Sequence, residues 1–430
     1  MKLRGGACEL GLLLGVTNDV TKPTILFTAF EPSGDDHASI VIAELKARYP
    51  DVRICAWGGR KMEKAGAEVI ERTGDAAVMG MPGLDKIREH KKINVRIEEW
   101  IKENPVTVHV PVDSPAANFP VCAITKAHGA KVTHMVAPQL WAWGSWRIRK
   151  LRRLTDHVMC VLPFEEEWFG SRGVKATYVG HPLFEKPLDV DGLDEQISDW
   201  QSGDQRIAIL PGSRPSELKK NFPLLLGAYI KIKGEHPEMR GVIAVTRAEI
   251  ESELRENAKD HGLDWPESLE LVVANTDAVV RWCTLALVVS GTVTLQIARQ
   301  HRPMVIVYKI GRMSWNLVGR WVIKSSFITL PNILAGREIV PELVPSFLGV
   351  DPIAQRATEL LEDRGKYDLQ VCELQRVTDM FAGMNAAVGA ADIIARYAGL
   401  EPVESGSESR LDGEGEEADC DAGVAGAVGD

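Results

Sequence analysis

Three strand-to-helix turns and one isolated carboxylate carry the residue types that chemistry needs. Leu210-Pro-Gly-Ser-Arg214 follows an apolar run and precedes a helical pattern with Glu217 in its first turn. Gly212 lets backbone approach an anion, Ser213 donates, and Arg214 can clamp two oxygens, so this turn reads as a phosphate site. Ser290-Gly-Thr-Val-Thr294 repeats the layout, with Ser290, Gly291 and Thr292 after a buried strand. Two such turns in one unit suit a diphosphate. Neither contains Gly-Lys-Ser/Thr, which argues against ATP hydrolysis of the Walker type. Glu31-Pro-Ser-Gly-Asp35 lies between a strand and a helix. Ser33, Gly34 and the backbone N–H groups there either receive a phosphate or sugar oxygen, or form an ordinary cap through Ser33 or Asp35.

Asp113 ends the run Val106–Val112, with Pro111 and Pro115 on either side. A carboxylate at the carboxyl end of a strand can take the proton from an attacking hydroxyl. The plainer reading is a cap on the next helix, and Asn118 could orient either role. His181, in Tyr178-Val-Gly-His-Pro182, is equally a hinge residue or a ligand contact. Asn332 and Arg337 sit on a polar turn entering a helix, from which both could reach a cleft. No His, Asp or Glu cluster has metal-ligand spacing, and nothing calls for another cofactor.

Trp141, Trp143 and Trp146 fall within six residues and run into Arg147, Arg149, Lys150, Arg152 and Arg153. Aromatic rings beside dense positive charge suit a surface that meets acyl chains and phosphate together. A buried tryptophan cluster capped by a solvated basic helix explains the spacing equally well.

These residues need a scaffold, and the apolar runs supply one. Thr24–Phe30, a helix from His37 to Arg48, and Val52–Trp57 follow in β-loop-α-β order. Val106–Val112, Lys131–Val136 and His157–Leu162 continue the series, and a polar stretch from Phe184 to Gln205 breaks it. A second series starts at Arg206–Leu210 and runs through Gly241–Val245, Leu269–Val273, Leu285–Ser290 and Pro303–Tyr308. The expected fold is α/β: two doubly wound parallel-sheet domains facing a cleft. The expected divisions are an extension over 1–23, a first domain over 24–182 and a second over 183–385. An Ala-rich helix over 386–400 could cross back to the first domain, and 401–430 is an acidic tail.

The 430 residues are too many for one ordinary core, which agrees with two domains. The net charge of -10 comes almost wholly from the tail, whose ten acids face one base. That leaves the body near neutral, with no basic bias toward nucleic acid and an expectation of disorder for the tail. The seven cysteines are scattered, with no Cys-x-x-Cys pair, and read as reduced residues of a cytosolic protein. No secretory signal is evident, and no uncharged run is long enough to span a bilayer.

Eight motifs in order resemble the lipid-A-disaccharide synthase family. They are Val78-Met-Gly80, Asp113-x-Pro115-x-x-Asn118, Ala137-Pro-Gln-x-Trp-Ala-Trp143, Leu162-Pro-Phe-Glu165, Val179-Gly-His181, Leu210-Pro-Gly-Ser-Arg214, Ser290-Gly-Thr292 and Leu330-Pro-Asn-x-x-Ala-Gly-Arg337. The resemblance covers roughly residues 24–398 and implies an inverting GT-B glycosyltransferase. It implies a UDP-diacylglucosamine donor, a diacylglucosamine 1-phosphate acceptor, a β-1,6 disaccharide product and no metal. It also implies a peripheral place on the cytoplasmic face of the inner membrane; the oligomeric state stays open, a homodimer being one option. Asp113 matches the family's proposed base, Arg214 its diphosphate contact and Asn332 its nucleotide-side motif, while Ser33, Gly34 and Asp35 match its first loop. The tryptophan-rich segment fits the acceptor side. This chain departs from the pattern at Phe30, Ala116, Ala117 and Gln296, the last standing where a glutamate commonly accepts from ribose hydroxyls. The rivals are a UDP-sugar epimerase of the same fold and a non-catalytic relative that binds nucleotide-sugar or lipid.

Overall fold

A computed structural model describes residues 22–73, 84–142, 144–185, 187–200, 203, 205–309, 327–344 and 349–403. The Val78-Met-Gly80 motif, Trp143 and the acidic tail from 404 onward lie outside the described residues.

Strand β1 (Thr24–Thr28) is buried at every position. Burial on both faces is the usual state of a strand in a parallel sheet covered by helices, and β1 pairs in parallel on both sides. Six more strands complete the first sheet: β2 (Arg53–Gly58), β3 (Glu68–Arg72), β4 (Val108–Pro111), β5 (Lys131–Met135), β6 (His157–Cys160) and β7 (Ala176–Tyr178). Ile25 of β1 registers with Ile54 on one side and Val108 on the other. The second sheet holds β8 (Arg206–Leu210), β9 (Arg240–Val245), β10 (Leu269–Val273), β11 (Leu285–Val289), β12 (Met304–Val307) and β13 (Glu342–Leu343). Three strands had no clear sequence signal. β3 carries three charges in five residues, and β7 and β13 are three and two residues long.

The orders are β3-β2-β1-β4-β5-β6-β7 and β10-β9-β8-β11-β12-β13. Each sheet begins near its middle, winds to one edge, returns and winds to the other. The direction reverses between β1 and β4 in the first sheet and between β8 and β11 in the second. In sheets of this kind a crevice opens at the carboxyl ends of the strands flanking the reversal. That rule selects four loops: those after β1, β4, β8 and β11.

The helix after β1 starts at Pro32, five residues before the expected His37. Proline at the first helical position loses nothing, because the N–H it lacks would have no helical acceptor. Glu31 is therefore the N-cap, and Ser33, Gly34 and Asp35 lie in the first turn. At the other end of the chain, helix Ala386–Ala398 packs on the first sheet. Its Ala390, Ala391 and Ile394 share a core with Ile25, Phe27, Val41 and Leu45. Small side chains permit that close approach. The preceding helices, Asp351–Glu362 and Arg364–Asp379, pack instead against the second sheet.

Candidate active site

The loops after β1 and β4 meet at the first reversal. Asp113 and Ser114 both take positive φ, 49° and 35°. Left-handed backbone costs a non-glycine residue about 1–2 kcal/mol, so neighbouring groups must hold it there. Asn118 does so from the first turn of helix Pro115–Ala127. Its Nδ2 donates to the carbonyls of Val112 and Asp113, each at 2.9 Å. The Asp113 N–H donates to the Met135 carbonyl at 3.0 Å, which ties the turn to β5. Ser114 Oγ donates to Glu31 Oε1 at 2.6 Å, joining the two loops across the crevice. Burial raises the Asp113 carboxyl above its ordinary range, the nearby Glu31 carboxylate adds to the rise, and the Ser114 backbone N–H opposes it. A carboxylate so placed is short of solvation and basic for an aspartate. Its expected partner Asn118 is fully buried beside it, but holds the Asp113 backbone and leaves the carboxylate clear.

Asp35 does not face this crevice as a ligand group. Its carboxylate accepts the N–H groups of Gly59, Lys61 and Met62 at 3.0, 3.0 and 3.1 Å. It caps the short helix Arg60–Lys64, which corrects its assignment to ligand binding. Gly34 is needed for packing: a Cβ there would stand 3.0 Å from the Ala29 Cβ. Ser33 stays exposed in the first helical turn, beside the loop. Phe30 and Ala117 turn into one core cluster with Leu26 and Trp57, so neither departure occupies the crevice. Ala116 is exposed. His181 packs edge-on to Phe184 and Phe381, and its Nδ1 accepts the Leu183 N–H at 3.1 Å. Burial, with His37 second, pushes its imidazole down to about 3, so it is a neutral packing group where the two units join.

In the second sheet, Gly212 takes φ 96°, and Ser213 and Arg214 are exposed at the start of helix Pro215–Glu235. Arg214 Nη1 donates to the buried Glu217 Oε1 at 2.6 Å. That bond uses one edge of the guanidinium and aims it, leaving further N–H groups in a fixed fork. Glu217 also lies under the turn: a Cβ on Gly212 would fall 2.8 Å from its Oε2. Ser290, Gly291 and Thr292 form the turn after β11, with Gly291 and Thr292 exposed. The Thr294 hydroxyl and N–H both return to the Gly291 carbonyl, at 2.8 and 3.1 Å. Gln296 is half-buried on the following helix Val293–Arg299.

Asn332 is corrected by its partners. Asn332 is fully buried; its Nδ2 donates to the Val340 carbonyl and to Glu342 Oε2, both at 2.9 Å. Its Oδ1 accepts from Ile339 and Val340 at 2.8 and 3.0 Å, so every polar position of the amide is spent within the fold. Arg337 is ion-paired to the buried Glu373 on helix Arg364–Asp379 while its own side chain stays 55% exposed, so, as at Arg214, one edge of the guanidinium is held and the rest faces outward. Glu342 was missed from sequence, yet it gathers Ile328, Thr329 and Asn332 around β13.

The aromatic-basic segment divides. Trp141 is 9% exposed, and its Nε1 donates to Glu165 Oε1 at 2.9 Å. This removes it from the membrane candidates and makes it core. Burial lifts the Glu165 carboxyl to about 7 against the pull of Trp141 and the Leu162 and Val161 N–H groups. Trp146 is 66% exposed, with the Arg147 guanidinium 5.9 Å from its ring centre. Arg149, Lys150, Arg152 and Arg153 are exposed on helix Ile148–Leu154, while Leu151 and Leu154 anchor its inner face.

The double reversal, with chemistry-bearing loops at both, defines a GT-B architecture, and solved structures agree. The S. aureus MnaA–UDP complex superposes with TM-score 0.60 at 10% identity over 89% of this chain and 100% of that one. Acinetobacter baumannii MurG superposes at 0.52 with 15% identity over 87% of this chain and 99% of that one. At such identities these establish the fold alone. The family model for lipid-A-disaccharide synthetase matches residues 25–386. The lipid-A-disaccharide synthase of Anaeromyxobacter sp. (strain K) is 35% identical over 360 residues, 82% of this chain and 92% of that protein. That of Myxococcus xanthus (strain DK1622) is 32% identical over 337 residues, 77% and 86% respectively. This chain belongs to the lipid-A-disaccharide synthase family.

Proposed function

We propose that the protein transfers 2,3-diacylglucosamine from UDP to the 6-hydroxyl of 2,3-diacylglucosamine 1-phosphate, with inversion, releasing UDP. The observation that carries this reading is Asp113: a carboxylate at the first reversal, held in left-handed backbone and raised in pKa. Asp113 takes the hydroxyl proton as the acceptor oxygen attacks the anomeric carbon and the bond to the diphosphate breaks. A raised pKa makes it the stronger base once ionised. Arg214, aimed by Glu217, and the turns at Gly212–Ser213 and Ser290–Thr292 receive the charge that develops on the leaving diphosphate. Gln296 faces the nucleotide ribose in this scheme, accepting without the charge a glutamate would bring. Ser33 contacts ligand from the first turn of its helix. No group of three or more potential metal ligands occurs among the described residues, and the scheme assigns the charge to Arg214 and backbone N–H groups.

The substrates carry acyl chains, so the protein must meet a bilayer. No helix among the described residues is long and apolar enough to cross one. We assign the meeting surface to Trp146 with Arg149, Lys150, Arg152 and Arg153, where a ring enters the headgroup region and the cations meet anionic lipid on the inner face of the cytoplasmic membrane.

Release of UDP from the donor tests the reaction class. It is expected only when acceptor is added, and it is expected to survive chelator. UDP release or sugar epimerisation without acceptor would overturn the transferase reading.

A further inference from the structure

Behind the candidate base lies a buried chain of polar groups whose protons can be assigned one after another. Asn118 Nδ2 faces two carbonyls, which only accept, so the amide orientation is settled. Its Oδ1 must then accept, and the Thr28 hydroxyl donates to it at 2.6 Å. Thr28 has one proton and has spent it. His109 Nε2, 2.8 Å from the same oxygen, must therefore be the donor. That leaves His109 Nδ1 bare, to accept the Thr125 hydroxyl proton at 2.9 Å. Thr28, His109, Asn118 and Thr125 are all fully buried. Burial pushes the His109 imidazole down to about 3, with His134 second, so the ring stays neutral and the tautomer fixed. The chain starts at Thr125 on helix Pro115–Ala127, crosses His109 on β4 and Thr28 on β1, and ends through Asn118 on the carbonyls of Val112 and Asp113, the latter the residue whose φ is 49°.

We propose that Thr28 and His109 are positioning residues for Asp113, acting through Asn118, which their one-way run of hydrogen bonds locks in the orientation that holds the turned-out carbonyls. This rests on the reading of Asp113 as the base. Neither residue touches substrate, so the loss should fall on turnover and not on binding. Without the Thr28 hydroxyl, the Asn118 amide loses the donor that opposes its rotation, and the Asp113 turn loses its hold.

The test compares kcat and KM for Thr28→Val, which keeps the shape and removes the hydroxyl, with Thr28→Ser, which restores it. Thr28→Val is expected to lower kcat about 10- to 100-fold, as misplacement of a catalytic group does. KM for both substrates should stay within about threefold, and Thr28→Ser should recover most of the rate. His109→Gln and His109→Leu form a second pair, should Thr28→Val not fold. The glutamine amide can donate to Thr28 and accept from Thr125, and the leucine can do neither. Wild-type kcat in Thr28→Val or His109→Leu, a change confined to KM, or failure of both conservative variants to restore the rate would overturn the proposal. Asp113→Asn run alongside separates the two readings. If it is inactive while Thr28→Val is normal, the relay fails alone; if it is itself near-normal, the base assignment fails.

Discussion

At the scale of single residues, the account turns on Asp113. Its position after a strand was readable from Pro111, Asp113 and Pro115, but its backbone was not, because nothing local in the sequence marks an aspartate for φ 49°. That conformation depends on Asn118, Thr28 and His109, which lie on three different elements. Asp113→Asn is expected to lower turnover roughly 10²- to 10⁴-fold while leaving the fold in place. The sign of its effect on stability follows from linkage. The folded-state pKa is raised, so the folded protein holds this proton more tightly than the unfolded chain. The stability it contributes is full below the ordinary carboxylate pKa and is lost as pH rises through the raised value. The Asn variant should therefore melt at or above the wild-type temperature near neutral pH. Thermal melts beside initial rates check both halves, and near-normal turnover would remove Asp113 from the chemistry. The same scale explains the misassigned residues. Asp35, Asn332 and Trp141 have the right chemistry for ligands, and each has spent it on internal partners that no local pattern announces.

At the scale of elements, the buried strands were legible because parallel strands read as continuous apolar runs. Helix starts were less so. Glu31-Pro-Ser-Gly-Asp35 has a turn-like composition, yet the same proline opens a helix at Pro32. The consequence is that Asp35 belongs to a different element's cap, the N-terminus of helix Arg60–Lys64. Asp35→Ala should cost about 1–2 kcal/mol of unfolding free energy, the ordinary size of a lost cap. Turnover should stay within about threefold once the protein is folded. Denaturant unfolding and rate measurements at one temperature decide this. A large loss of donor affinity without loss of stability would return Asp35 to the ligand site. The turns at Gly212–Arg214 and Ser290–Thr292 were legible as loops, and their likeness paired them as a diphosphate site, but their adjacency was not legible. Only the strand order places them side by side at the β8/β11 reversal.

At the scale of the whole molecule, two sheets with the same winding place four loops at two crevices, and helix Ala386–Ala398 returns the chain to the first sheet. The first unit carries Trp146 and, on the adjoining helix Ile148–Leu154, a run of exposed cations. Binding to vesicles containing anionic lipid should weaken with salt, since exposed charges are screened over about 8 Å at physiological ionic strength. Reversing charge at Arg149, Arg152 and Arg153 together should weaken it further. Unchanged co-sedimentation in that triple variant would move the membrane face elsewhere. The most direct measurement is incubation of the purified protein with UDP-2,3-diacylglucosamine and 2,3-diacylglucosamine 1-phosphate, followed by mass analysis of the lipid product. The account predicts a tetra-acylated disaccharide 1-phosphate formed in step with UDP, and its loss in Asp113→Asn. UDP formed with no disaccharide, or a disaccharide formed equally well by Asp113→Asn, would contradict it.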